Sequence, residues 1–267
     1  MELATTKSLK SEQSRRKKIA AKKKEIKLWM STNDVSVMSS NGVSLNMRKR
    51  IKKYIKQHHI VEKDIKADVD LKYFLDDNRF ATDRIREPLW EYLVKNAAVK
   101  SVPMLKRMDQ SGWKRLYGYM KPVIYKEKED IVEKAGEKLV QMIFIIQGEF
   151  ECTNTMLTHP NHLKKGKCYG SIQIQNWAAR NYMRSYYDPL PTSTGRVRCQ
   201  TKVEAFALRA LDFLRFVQQN LNHFVQLKKL AAADDISTPH QTHNQDDQHS
   251  VESWECPKSG LVKLMLT

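Results

Sequence analysis

The stretch VEKAGEKLVQMIFIIQGEFE, residues 132–151, decides how this chain is read. Its centre, MIFIIQ, is a continuous apolar run too short for a buried helix and suited to an inner strand. Gly136 and Gly148 punctuate it where turns are needed, and strands are predicted over Asp130–Glu133, Gln141–Gln147 and Glu149–Thr153. Upstream, Val123–Tyr125 is a further candidate strand. Downstream come a polar loop over 154–166, a helix-compatible Ile172–Arg184, a break at DPLPTSTG and two more strands, RVRC and VEAFAL. A long amphipathic helix is expected over Ala210–Leu230, with Leu211, Leu214, Phe216, Val217, Leu221, Phe224, Val225 and Leu227 as its apolar positions.

The residues before Lys121 have another texture. IAAKKKEIKLWM, 19–30, forms a short, basic, amphipathic helix, and STNDVSVMSSNG breaks the chain. A second basic helix is expected over Ser44–Gln57, with further helical pieces at Glu62–Phe74 and Asp83–Lys95, where Pro88 limits the first turn. Residues 1–17 read as a disordered basic arm and residues 231–267 as a mostly disordered polar tail. Helices around a block of short strands define an α+β fold, since alternating parallel βαβ units are missing.

Composition narrows the function. Hydrophobic residues make up 41 % of the 267, enough for a core, and no run approaches the roughly 20 apolar residues a spanning helix needs. The chain on its own is therefore expected to be soluble and intracellular. Cys152, Cys168, Cys199 and Cys256 form no C-x-x-C pair, so neither a disulfide framework nor a zinc finger is expected. The net charge of +17 is concentrated early, with 18 Lys/Arg against 6 Asp/Glu in residues 1–66, a net +12. Nucleic acid, an anionic membrane surface and a solvated helix face all suit such an arm. Phosphate-loop, serine-hydrolase and zinc-protease motifs are missing, so no enzyme is expected.

Five segments, in order, resemble the C-terminal region of plant cyclic-nucleotide-gated channels: KKEIKLWMS at 23–31, NMRKRIKKY at 46–54, VPMLKRMDQSGWKRLYGYMKPVIY at 102–125, the 132–151 stretch and LPTSTGRVRCQTKVEAFALRALDFLRFV at 190–217. The resemblance implies a helical linker over 18–95. It implies an antiparallel, jelly-roll-type cyclic-nucleotide-binding domain with a closing C-terminal helix over 96–230. It further implies cyclic AMP or cyclic GMP as ligand, no other cofactor, and tetrameric association with channel subunits at the cytosolic face of a membrane. The basic face of Phe213–Lys229, read as a basic amphipathic helix, suits calmodulin as a further partner, while closure of the roll accounts for the same apolar side. Six membrane helices, the pore and the usual IQ segment are not visible, and nucleic acid is not an expected partner. A bacterial-type transcription factor would need a helix-turn-helix after residue 230, and a kinase regulatory subunit a second roll; neither is found.

By the same resemblance, the ligand-binding residues are Gly170, Ser171, Thr194, Gly195 and Arg196. The family holds the ribose hydroxyl with a Glu after a Gly, and the phosphate with an Arg beside Ser/Thr. Here the first pair is Gly170–Ser171, and the second motif reads Ser193–Thr194–Gly195–Arg196, with the arginine one residue late. Adjacent residues of a strand point to opposite faces. Either Gly195 supplies a bulge that turns Arg196 inward, or the phosphate anchor is lost.

Overall fold

A computed structural model describes residues 2–33, 47–75, 88–94, 102, 105, 108–154, 159–222 and 224. Two four-stranded antiparallel sheets form the roll, built from β1 (Lys121–Tyr125), β2 (Asp130–Val132), β3 (Gln141–Gln147), β4 (Glu149–Asn154), β5 (Asn161–Lys164), β6 (Cys168–Tyr169), β7 (Gly195–Cys199) and β8 (Val203–Arg209). Their orders are β1-β8-β3-β6 and β2-β7-β4-β5. The helices are α1 (Glu2–Thr32), α2 (Met47–Gln57), α3 (Ile60–Lys63), α4 (Leu71–Leu75), α5 (88–94), α6 (Gln110–Tyr119), α7 (Ser171–Asn181) and α8 (Ala210–Gln219).

β3 sits at the centre. Met142 to Ile146 are all buried, because β3 faces the second sheet on one side and helices on the other. That explains its unbroken apolar run, where a strand with one wet face would alternate. Phe144, Phe150, Phe206, Phe213 and Phe216 are all fully buried, each contributing about 1.5–3 kcal/mol of transfer free energy. Two strands, β5 and β6, fall where the sequence predicts none. NHLK carries no apolar alternation and Cys168–Tyr169 is only two residues long; pairing to β4 and β3 makes them strands. α6 is a further element without a sequence expectation. It is capped by Asp109, whose Oδ1 accepts from Gly112 N at 2.7 Å.

Three boundaries differ from expectation. The expected helix Glu62–Phe74 is two short helices, because Asp70 caps a new start, its Oδ1 accepting from Tyr73 N at 3.0 Å. α1 extends back to Glu2 through residues assigned to the basic arm; no Gly or Pro interrupts 2–32, and Ala, Lys and Glu favour helix. The expected 210–230 helix is interrupted at Asn220: α8 ends at Gln219, Asn220 leaves helical geometry while its Nδ2 donates to Phe216 O at 2.7 Å and its Oδ1 accepts from Arg115 at 2.5 Å, and residues 221, 222 and 224 are helical again. The starts of the predicted 44–57 and 83–95 helices, the end of the 210–230 helix and the 231–267 tail lie outside the described residues.

The helical part packs on the roll. Ile26, Trp29 and Met30 of α1, Ile51 and Ile55 of α2, and Leu71 and Phe74 of α4 are buried with the strands in one core. Residues 9–18 of α1 are exposed throughout.

Candidate functional site

The two halves of the predicted site lie on different elements. Gly170 has φ +74 and precedes α7; this left-handed turn, with Gln141 O 3.3 Å from where a Cβ would sit, favours glycine there. Ser171 is the first residue of α7 and is buried. Below it, Gln175 is fully buried and donates Nε2 to Ser171 O at 2.9 Å. Trp177, on the same helix, is 1 % exposed and donates Nε1 to Asp188 O at 2.9 Å, so it is core and not a free stacking surface.

The second half enters β7. Ser193 is buried, and its Oγ donates to Gly195 O at 2.6 Å and lies 3.3 Å from Gly195 N. Tyr169, the residue before Gly170, reaches from the first sheet to this segment, its hydroxyl 3.1 Å from Ser193 Oγ. Burial pushes the Tyr169 phenol up to about 12, against a smaller lowering by the Ser193 hydrogen bond. Tyr169 and Ser193 thus join the two halves. Ser193 belongs to the quoted sequence motif but not to the ligand-binding residues expected from it, and Tyr169 was missed; its only signal in the sequence is its place directly before the Gly170–Ser171 pair.

Gly195 and Arg196 are set by the pairing of β7 with β4. The ladder is regular: Asn154 faces Gly195, Thr153 faces Arg196 and Cys152 faces Val197. β7 alternates, with Gly195, Val197 and Cys199 buried and Arg196 exposed. No register shift occurs at Gly195, so its backbone does not turn the next side chain inward. Instead Arg196 extends over the outer face and grips Asp130 of β2 with Nε to Oδ1 and Nη2 to Oδ2, both at 2.9 Å. The hydrogen bonds from Arg196 hold the Asp130 carboxyl below the usual carboxylate range, and Arg198 contributes less. A hollow of about 260 Å³ opens on that face between Lys128, Glu151, Thr153, Arg196 and Arg198. Both signs of charge line it.

Gly195 also lies very close to β4. A Cβ built there would meet Thr153 O at 1.8 Å and Thr153 C at 2.7 Å. Thr194 is exposed. Of the five predicted residues, Gly170, Ser171 and Gly195 face the roll interior or its lining, while Thr194 and Arg196 do not.

No metal cluster of three or more His, Cys, Asp or Glu occurs among the described residues. His162 lies on β5 with Nδ1 2.6 Å from Glu149 Oε1. Among the described residues no helix is long and apolar enough to cross a membrane.

An antiparallel roll of two sheets, with a short helix inserted before β7 and a helix closing it after β8, is the α+β roll architecture expected from the sequence. The chain is 34 % identical over 126 residues to the probable cyclic nucleotide-gated ion channel 6 of Arabidopsis thaliana, covering 45 % of this chain and 16 % of that protein. It is 32 % identical over 139 residues to cyclic nucleotide-gated ion channel 1 of the same plant, covering 49 % and 19 %. The solution structure of the cNMP-binding domain from an Arabidopsis thaliana cyclic nucleotide-regulated ion channel matches with 32 % identity, covering 47 % of this chain and 90 % of that one, at a TM-score of 0.37. No family model matches the sequence. Over about half its length, then, this chain is a homologue of plant cyclic nucleotide-gated ion channels. It spans less than a fifth of the length of those two relatives.

Proposed function

We propose that this chain is the linker and regulatory roll of a cyclic-nucleotide-gated cation channel, with a site too degenerate to hold a cyclic nucleotide at signalling concentrations. Residues 18–95 act as the linker and 96–230 as the roll; 1–17 and 231–267 flank them. The regulatory unit works by its position against other channel subunits and carries out no catalysis.

The observation that carries the degenerate-site reading is the position of Arg196. A buried phosphate needs a cation or several N–H donors, since an unpaired buried charge costs many kcal/mol. Arg196 is on the outer face with Asp130, and the inward position is Gly195, pressed on Thr153 O. Ser171 stands where the family has Glu, which removes a charge-assisted hydrogen bond of about 1.5–3 kcal/mol. With the phosphate cation gone as well, affinity falls by about three decades or more, at about 1.4 kcal/mol each.

Calorimetric titration of the full chain with cyclic AMP and cyclic GMP tests this. No saturable heat is expected below about 100 µM ligand, an order-of-magnitude limit from the same conversion. Tight binding abolished by Arg196→Ala would show that the arginine holds the phosphate after all.

A further inference from the structure

Between the helical segment and the roll lies a buried carboxylate. Glu204 of β8 is 4 % exposed, and among the described residues no cation forms an ion pair with it. Its Oε2 accepts from Trp29 Nε1 at 2.9 Å and from Leu71 N at 2.7 Å. The donors come from different segments: Trp29 lies near the end of α1 and Leu71 opens α4, 175 and 133 residues away along the chain. Glu204 and Phe206 share a face of β8, and Phe206 stacks on Trp90 of α5 at 5.6 Å. This face of the first sheet is therefore the seat of the helical segment.

Opposite Glu204 the β3 ladder shifts register between Ile145 and Gln147, a bulge-type irregularity whose extra residue lies on β3. Gln147 uses the same place to accept from Asn33 Nδ2 at 3.2 Å. Trp29 also stacks on Phe74 of α4, with ring centroids 4.1 Å apart and planes 25° apart, so α1 and α4 are in direct contact here. Other contacts near this point are Lys202 to Asp70 at 3.4 Å and Lys165 Nζ to Thr32 O at 2.9 Å, both exposed, and the buried Lys22 of α1, whose Nζ donates to Ala67 O.

We infer that Glu204 is a latch that fixes the position of the linker on the roll, one oxygen holding α1 and α4 together. A buried carboxylate deprived of one of two donors is left under-bonded at a cost that a neutral group would not bear. Sliding α1 while α4 stays put is thus disfavoured. Both donors leave together or neither does, which gives the joint two discrete arrangements in place of graded drift. Any ligand or subunit that favours the released arrangement moves the linker as a unit. Glu204 acts through the helices it holds and is a positioning residue.

This inference rests on residues 18–95 being a linker and is independent of whether nucleotide binds; calorimetry tests binding and the following experiment tests the latch. Hydrogen exchange read by mass spectrometry on the full chain compares wild type with Glu204→Leu, which removes the acceptor but keeps apolar volume. Peptides covering 22–33 and 67–75 are expected to exchange about tenfold faster or more, the effect of losing charge-assisted hydrogen bonds. Peptides covering β3 are expected to keep their protection, and Glu204→Gln, which retains an acceptor oxygen but loses the charge, to fall between wild type and Glu204→Leu. Unchanged linker exchange in Glu204→Leu overturns the latch. So does loosening of β3 to the same degree, which marks an ordinary core residue. If Glu204→Leu does not fold, Trp29→Phe removes one donor while keeping the stack on Phe74. It must then release both linker segments together, and release of 22–33 alone overturns the proposal.

Discussion

Asp130 of β2 holds Arg196 of β7 on the outer face of the roll through two hydrogen bonds of 2.9 Å, one from Nε and one from Nη2. The pair spans neighbouring strands and is planar and bidentate, the geometry a guanidinium makes best with a carboxylate. In a ligand-holding roll the phosphate would need that cation on the opposite face. Asp130→Asn is therefore expected to free the arginine without creating a nucleotide site, because strand parity and not the ion pair sets its direction. Titration of Asp130→Asn with cyclic AMP should match wild type, with no saturable signal. Binding that appears in the variant would mean that the aspartate alone keeps Arg196 away from the phosphate.

Gly195 marks a second consequence. With Thr153 O 1.8 Å from where a Cβ would stand, even Gly195→Ala forces β4 and β7 apart. Overpacking of this kind costs about 1–3 kcal/mol, and the contact is with backbone, so the upper end is expected. Chemical denaturation would show a lowered midpoint with an unchanged slope. It follows that returning arginine to 195, together with Ser171→Glu and Arg196→Thr, restores binding only if β4 yields. Nucleotide binding by that triple variant at wild-type stability would disprove the close approach.

The pH dependence of stability carries the signature of Glu204. Burial raises its pKa; hydrogen bonds from Trp29 and Leu71 lower it by less, Asp70 adds a raising contribution and Lys202 a lowering one. The folded state thus binds the proton more tightly than the unfolded chain. Stability from this group is greatest at pH below the ordinary glutamate value of about 4.3 and is lost as pH rises from there through the folded pKa. Glu204→Gln should flatten that part of a plot of unfolding free energy against pH. A slope identical in wild type and variant would place the titration on another carboxylate.

Ile145 tests the core. It is fully buried on β3 between Phe144 and Ile146, in the strand paired on both sides. Ile145→Ala is expected to cost about 2–5 kcal/mol, and Ile145→Asp, an unpaired buried charge, to abolish the thermal transition. Retention of a cooperative transition by the aspartate variant would mean that position 145 reaches water.

Much of the roll could be read from the chain because its strongest signals are local. Five consecutive buried residues in β3 need no knowledge of their neighbours to be recognised as a doubly covered strand, and VEAFAL in β8 is apolar except for Glu204. β5 and β6 lacked such a signal: NHLK is polar and Cys168–Tyr169 too short, and only their hydrogen bonds to β4 and β3 make them strands. For Arg196 the sequence posed a choice between inward and outward but could not make it. Facing direction depends on register, and register is a property of two strands at once. The continuous β4–β7 ladder decided it, and the carboxylate on β2 only holds the side chain that the ladder has turned outward. Trp29 and Glu204 show the same division most sharply. Each is recognisable alone, one as a helix aromatic and the other as an acid in an apolar strand, yet with 175 residues between them only packing could bring the indole N–H to the carboxylate.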